Sequence, residues 1–163
     1  MILFHCLLMF AGTYYVAAFI QTVLHRIFGH HNRIKPVYET HAKGHHAIYP
    51  PHRLLTDTWI DSERHIMWYY AIPFVPLALL VAWLCPPWLL LSHVAAMAWA
   101  IWWHIYLHQQ YHLNGSVWER FAWFRQKRES HFIHHRAVHS NYAIVEYWID
   151  NLLGTRVRPK KRR

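Results

Sequence analysis

The feature that most constrains the fold is the segment ILFHCLLMFAGTYYVAAFIQTVL, from Ile2 to Leu24, which contains no Asp, Glu, Lys or Arg. A helix needs about 20 mainly apolar residues to cross the hydrocarbon core of a bilayer, and this run is long enough. Inside lipid, a helix also satisfies every backbone amide within the segment itself. The run therefore predicts a transmembrane helix. A cleaved signal peptide is disfavoured because no basic residues precede the apolar run.

Two further uncharged runs lie later in the chain. The first is IMWYYAIPFVPLALLVAWLCPPWLLL, from Ile66 to Leu91, and the second is SHVAAMAWAIWWHIYLH, from Ser92 to His108. Pro86 and Pro87 indicate a tight turn between two spans, because proline cannot continue a helix. Hydropathy fits both a hairpin that crosses the bilayer and a re-entrant one. We predict an all-α integral membrane protein with about three transmembrane helices, formed by a single domain over residues 1–163.

Basic residues flank these apolar runs. The chain has 17 Lys and Arg against 8 Asp and Glu, a net charge of +9. Because the basic residues do not form one solvent-facing stripe with aromatic residues, we predict anionic lipid headgroups, and no nucleic acid, as their partner. The positive-inside rule places the basic segments in the cytoplasm and the N-terminus outside. The basic tail, residues 156–163, is predicted to be disordered and to contact lipid.

Histidine is as abundant as Lys and Arg combined, with 17 residues. Nearly all of them fall in clusters on the predicted cytoplasmic side. In the cluster ESHFIHHRAVHSNY, His131, His134 and His135 have the spacing i, i+3 and i+4, which places all three on one face of a helix. This is a spacing that metal ligands use, although a histidine-rich surface helix is the alternative for that stretch alone.

Two other clusters lie at the predicted cytoplasmic ends of spans. His25 and His30 in LHRIFGHH are five residues apart, which turns a continuous α-helix by about 140°. Both can serve one site only if the helix ends between them, and Gly29 offers that break. Imidazoles so close to the bilayer are costly unless they have partners. The cluster WWHIYLHQQYHL places three histidines in one stripe along a helix: His104, His108 and His112.

The remaining cluster, ETHAKGHH, indicates more than one metal. His41 and His45 are one helical turn apart and His46 diverges from them, a pattern that suits ligands of two neighbouring metals. The clusters together supply more imidazoles than one ion can bind, so two metals are implied. Zinc, iron, copper and nickel all accept imidazole. The histidines of the four clusters are His25, His30 and His31; His41, His45 and His46; His104, His108 and His112; and His131, His134 and His135.

Four motifs in this order resemble the histidine boxes of the membrane fatty acid hydroxylase and sterol desaturase superfamily. HRIFGH is similar to the first box, HQQYH followed by LNGS to the third, and HFIHH to the fourth. HAIYPPHRL and VEYWIDNLLGT are similar to segments of the fatty acid 2-hydroxylase branch. The second box, HAKGHH, has one extra residue, and ETHAKGHH is more similar to the corresponding box of integral-membrane alkane hydroxylases.

This resemblance implies the cofactor and the chemistry. It implies two iron ions, which zinc can replace in a preparation, and O2 as co-substrate. The reaction would be hydroxylation of an unactivated C–H position in a membrane lipid or fatty acyl chain, or alternatively desaturation of a lipid, sterol or carotenoid by the same centre. No haem domain is present, so a separate electron donor, of ferredoxin or cytochrome type with its reductase, is also implied.

The family spacing also selects among neighbouring histidines. It favours His30 over His31, and it favours His112, paired with His108, over His104. The ligands that the resemblance implies are therefore His25, His30, His41, His45, His46, His108, His112, His131, His134 and His135. The alternative ligands, or groups that hydrogen-bond to the ligands, are His31, His104 and His139.

Two other classes of protein fit parts of the pattern. A non-catalytic membrane metal-binding or carrier protein would place ligands along a path through the bilayer, whereas these ligands gather at one face. A b-type haem protein would pair histidines inside neighbouring spans, for which only His93 and His104 are candidates. Each class predicts a metal content that differs from a dinuclear iron enzyme.

Overall fold

The computed structural model describes residues 1–158 and contains no strand among them. Residues 159–163, in the tail predicted to be disordered, lie outside the described residues. The all-α prediction is confirmed for this part of the chain. The α-helices are α1 (Ile2–Leu24), α2 (Lys35–Tyr38), α3 (His46–Ile48), α4 (Met67–Ala71), α5 (Phe74–Leu84), α6 (Pro87–His112), α7 (Ala122–Arg136) and α8 (Trp148–Leu152). Two π-helical segments, His25–Gly29 and Glu39–His45, and two 3₁₀ segments, Arg64–Ile66 and Val117–Arg120, complete the order.

Helices α1 and α6 pack against each other along their length. Small side chains line their contact, and Ala17, Ala96 and Ala100 are almost completely buried. Small residues allow two helix backbones to approach closely in a membrane, where van der Waals packing replaces the hydrophobic effect. A hydrogen bond of 2.8 Å between Thr13 Oγ1 and His93 Nδ1 adds a polar contact between the helices.

Two helical segments are long and apolar enough to cross a membrane, Ile2–Gly29 and Pro87–His112. A third crossing requires that Arg64–Ala71 and Phe74–Leu84, which meet at a bend of 42°, form one broken span. The bend contains Pro73, which lacks an amide hydrogen and disrupts helical hydrogen bonding. The structure thus supports a membrane protein with two spans, or three if the bent pair counts as one.

Pro86 and Pro87 lie at the turn between two helices, as predicted. Helix α5 ends at Leu84, and α6 begins at Pro87 after an extended Cys85 and Pro86. Proline suits the first position of a helix, where its missing amide hydrogen would have no helical partner. Large apolar side chains on both helices are exposed, including Trp83 and Leu91. This exposure is expected of surfaces that contact lipid.

The remaining helices cover one end of α1 and α6. Helix α7 packs against α6, because Phe124 of α7 forms a buried cluster with Leu107 and Tyr111 of α6. The loop before α4 is fastened to the end of α6, because Thr56 donates its backbone amide to the His112 carbonyl over 2.9 Å. The first residues of the predicted disordered tail are also held: Arg156 donates to the Tyr147 carbonyl.

Candidate metal centre

The structure brings nine of the ten predicted ligands into two groups at the covered end of α1 and α6. In each group, one nitrogen of every histidine lies within 4.8 Å of one nitrogen of each other member, so each group can hold a metal ion. The four-histidine group consists of His25, His30, His41 and His134. The five-histidine group consists of His45, His108, His112, His131 and His135.

A π-helical turn places His25 and His30 in the same group. Helix α1 does not simply end between them, as the sequence suggested, but continues as a π-helix from His25 to Gly29. A π-helix closes its hydrogen bonds between residues i and i+5, so residues five apart return to one side. The wider turn therefore brings His25 and His30 to the same side, which five residues of a regular α-helix would not do.

The ring nitrogens of the four-histidine group converge. His25 Nε2 lies 2.8 Å from His41 Nε2, and His30 Nε2 lies 3.2 Å and 3.1 Å from them. Two ligand nitrogens of one metal, each about 2.0–2.1 Å from it, are separated by about 2.9–3.4 Å in octahedral or tetrahedral geometry. The three nitrogens therefore form a triangle of the size of one face of a metal coordination polyhedron.

The protons of this group point away from the centre. His25 Nδ1 donates to the Tyr142 carbonyl over 2.6 Å, and His134 Nδ1 donates to the Ser140 carbonyl over 2.7 Å. His41 Nδ1 donates to a Glu63 carboxylate oxygen over 2.5 Å. A neutral imidazole that donates from Nδ1 carries a lone pair on Nε2. These lone pairs repel one another unless a cation lies between them.

The five-histidine group is built in the same way from different supports. His112 Nδ1 donates to the Leu54 carbonyl and His135 Nδ1 to the Tyr49 carbonyl, each over 2.8 Å. The Tyr49 ring also stacks on the His112 ring, with 3.8 Å between centroids. His131 Nε2 lies 2.8 Å from His112 Nε2 and 3.1 Å from His135 Nε2. The segment between the first two apolar runs thus orients this group.

Glu63 connects the two groups. Its Oε1 accepts from His41 of the four-histidine group, and its Oε2 lies 3.0 Å from Nδ1 of His108 in the five-histidine group. The side chain is buried, which by itself raises the pKa of the carboxyl, but His41 and His108 lower it well below its usual value. Glu63 is therefore an anion that fixes one ligand of each group.

The three histidines of the segment ETHAKGHH are distributed between the groups differently from the prediction. The sequence predicted that His41 and His45 share one side of a helix and that His46 diverges from them. The rings of His41 and His45 do stack beside each other, but the two residues belong to different groups. His46 lies between the groups, with its ring centroid 5.0 Å from that of His134 and 4.2 Å from that of His135. The structure therefore places His46 beside both sites and within neither group.

The alternative ligands lie outside both groups. His31 and His139 are exposed and stack on each other with 6.5 Å between centroids. His104 lies next to the site, 6.3 Å from His108 between ring centroids. It lines a cavity of about 10 Å³ together with Glu63 and His108. His30 and His112 are thus members of the groups, whereas His31 and His104 are not.

The electrostatic environment keeps the histidines in the form that binds metals. Burial lowers the pKa of His41 to about 3 and that of His46 to about 4. Burial also lowers the pKa of His45, His131 and His134 well below the usual value. Neutral imidazole is the ligand form, so these groups need not lose a proton to bind metal at neutral pH.

The residues present fit a pair of metal ions. Among the described residues, three buried Nε2 atoms in or beside the groups have no hydrogen-bond partner, those of His46, His108 and His134. Buried polar atoms are rarely left without a partner. A metal in each group would satisfy His108 and His134 directly.

Gly29 permits the close approach of two ligands. A Cβ atom at this position would lie 3.0 Å from His25 Cδ2 and 3.1 Å from His41 Cδ2. We expect Gly29→Ala to displace one ring and to weaken metal binding to the four-histidine group by about tenfold or more. Isothermal titration of metal-free protein would measure this loss.

The matched control for that substitution is Gly12→Ala, also in a helix, where a Cβ atom would meet nothing within 4 Å. Gly12→Ala should leave the affinity unchanged. Equal affinity in both variants would show that the rings tolerate the methyl group.

Sequence reasoning missed Glu63 and the four backbone carbonyls that accept from Nδ1 atoms. Every residue has a backbone carbonyl, so the residue types do not indicate which carbonyls accept from the histidines. Glu63 had one available signal: it is one of only 8 acidic residues, and it lies three residues before the apolar run that starts at Ile66. An acidic side chain at a membrane boundary is costly unless it has a partner.

Comparisons of this chain with protein-family models, with curated proteins and with solved structures found no match.

Proposed function

We propose that this chain is a membrane-bound, oxygen-dependent di-iron oxygenase that hydroxylates an unactivated C–H position of a lipid or fatty acyl chain. The observation that carries the proposal is the pair of converging, buried histidine groups at the end of two membrane-capable helices. The order of the histidine boxes supports the same family of chemistry. Bound iron would supply the oxygen-activating redox chemistry, which side chains alone do not provide.

The protein's own part is to hold the metals and exclude water. Members of the two groups are at most 9% exposed. Carbonyls or Glu63 hold the Nδ1 protons of six of these nine histidines, so their ligand nitrogens are oriented before a metal binds. The six are His25, His41, His108, His112, His134 and His135. The cavity beside His108 and Glu63, of about 10 Å³, has room for a molecule about the size of water.

The same features argue against a metal carrier. A carrier must release its metal, which favours accessible ligands along a route. Here the ligands are buried, and both groups lie at the same end of the long helices. Desaturation of a lipid, sterol or carotenoid by the same centre remains the alternative reaction, and only the product distinguishes it from hydroxylation.

Lipid analysis of cells that express the protein under a mixture of ¹⁸O₂ and nitrogen tests the proposal. We expect a new lipid that carries one ¹⁸O atom, detected by mass spectrometry and absent from cells that express His134→Ala. A new double bond without ¹⁸O would identify the desaturase. An unchanged lipid profile, with full metal content in the purified protein, would favour the non-catalytic binding class.

We further propose that the histidine groups face the cytoplasm. The basic residues lie at the histidine-bearing end of the spans, which the positive-inside rule places in the cytoplasm. Cysteines introduced for Ala47 and Ala137, both exposed beside the site, should resist a membrane-impermeant thiol reagent in intact cells. A cysteine for Ile2 should react, in a background with Cys6 and Cys85 replaced by serine. The reverse labelling pattern would invert the topology.

A further inference from the structure

The four-histidine group depends on a loop that the C-terminal segment holds in place. The loop is Ser140–Ala143, and the carbonyls of Ser140 and Tyr142 accept from His134 and His25. Between these two carbonyls lies Asn141, whose φ of 52° is the only positive value at a non-glycine residue among those described. This left-handed conformation costs free energy for most residues but is tolerated by asparagine.

Asn141 is fully buried and ties three segments together. Its side-chain amide donates to the Ser130 carbonyl over 3.1 Å and to the Val157 carbonyl over 2.9 Å. Its side-chain oxygen accepts from the Val157 amide over 2.7 Å. The backbone amide of Asn141 donates to the Thr155 carbonyl over 3.0 Å. Helix α7 and the C-terminal segment are therefore fastened to the loop through one residue.

Asp150 holds the other half of the loop. Its carboxylate is completely buried and accepts from the backbone amides of Tyr142, over 2.8 Å, and Ala143, over 3.1 Å. The Thr155 hydroxyl donates to the same carboxylate over 2.8 Å. All three partners are donors, so only a side chain with two acceptor oxygens satisfies them.

Among the hydrogen bonds of the described residues, none joins a ring of the five-histidine group to this loop or to the C-terminal segment. The carbonyls that accept from His112 and His135 belong to Leu54 and Tyr49, in a different part of the chain. Glu63 serves both groups, but it makes no contact with the loop or with the C-terminal segment among the hydrogen bonds of the described residues. Helix α7 carries ligands of both groups, but the carbonyls that orient the two sets of rings lie in separate segments.

We propose that Asn141 and Asp150, together with Thr155 and Val157 of the C-terminal segment, are positioning residues that control the four-histidine site selectively. Loss of this support frees the carbonyls of Ser140 and Tyr142, so His134 and His25 lose the acceptors that orient their Nε2 atoms. The four-histidine site then loses its metal while the five-histidine site retains its own. This inference rests on the metal-binding part of the proposed function and not on the oxygenase reaction.

Two truncations form a matched pair that tests it. Ending the chain after Arg158 removes only residues 159–163, whereas ending it after Gly154 also removes Thr155 and Val157. We expect elemental analysis of the purified, detergent-solubilised protein to give two metals per chain for the longer form and about one for the shorter form. Cobalt substitution would identify the retained site, because the visible spectrum reports coordination number.

Two substitutions keep the test decisive if the shorter chain fails to fold. Asp150→Asn places an amide hydrogen against a donor, and Thr155→Val removes one hydroxyl without changing the shape of the side chain. Asp150→Asn should lower the metal affinity of the four-histidine site by tenfold or more, and Thr155→Val should lower it by less. Retention of both metals by Asp150→Asn, or loss of both from a folded variant, would overturn the proposal. Metal content is measured without turnover, so an inactive but fully loaded protein would count against the oxygenase reaction alone.

Discussion

Alanine substitution of His108, His134 or His135 will abolish the proposed oxygen-dependent lipid modification and leave the protein in the membrane. Each side chain belongs to one of the two groups, and the loss of one imidazole opens a coordination position or releases a metal. We expect product formation to fall by more than about 100-fold, measured by mass spectrometry with iron, oxygen and a reductant supplied.

The controls for these variants are His5→Ala and His93→Ala. His5 lies about 30 Å along α1 from His25, and His93 lies about 22 Å along α6 from His108, both toward the end of the helices opposite the metal groups. His93 contacts Thr13, so its loss should lower stability slightly without lowering turnover. Expression level reports folding in each case. Activity retained in two of the three variants His108→Ala, His134→Ala and His135→Ala would contradict the dinuclear enzyme.

Glu63→Gln will reduce activity and metal binding at both groups together. The glutamine keeps the size of the side chain but removes the negative charge, and its amide nitrogen cannot accept from an imidazole N–H. One of the contacts to His41 and His108 must therefore be lost. Loss of such a partner typically costs about 10–100-fold in metal affinity or activity.

Titration of metal into metal-free Glu63→Gln protein would show whether both binding steps weaken. The matched control is Glu39→Gln, because Glu39 is exposed and pairs with Lys43 across one helical turn. Surface pairs of this kind contribute little to stability. If Glu63→Gln bound two metals as tightly as the unchanged protein, the carboxylate would have no part in holding the site.

The sequence predicts the chemistry of the site better than its architecture. Residue type and spacing indicate the clusters from which the histidines of both groups come, because imidazole ligands must recur at intervals that bring them to one side. The choice of His30 over His31, and of His112 over His104, came from the family resemblance. Their division between groups was not predictable, since it depends on which way neighbouring rings turn. His41 and His45 are one turn apart yet serve different groups.

The supports of the ligands are even less visible in the sequence. The carbonyls of Tyr49, Leu54, Ser140 and Tyr142 belong to residues of no shared type. Their positions follow from tertiary packing, which no local periodicity records. The bend at Pro73 was missed for another reason: hydropathy averages over a run and does not register a change of direction.

The π-helical turns at His25–Gly29 and Glu39–His45 have a consequence for how this chain could change over time. A π-helical turn is equivalent to an α-helix that has received one inserted residue, and such insertions are usually less stable than the regular helix. Deleting one residue inside either turn would restore regular α-helical hydrogen bonding. It would also rotate every preceding residue by about 100° relative to the metal groups. The two turns therefore mark places where selection for binding opposes selection for a regular helix, and a chain of this type that lost its metals would be expected to lose these insertions first.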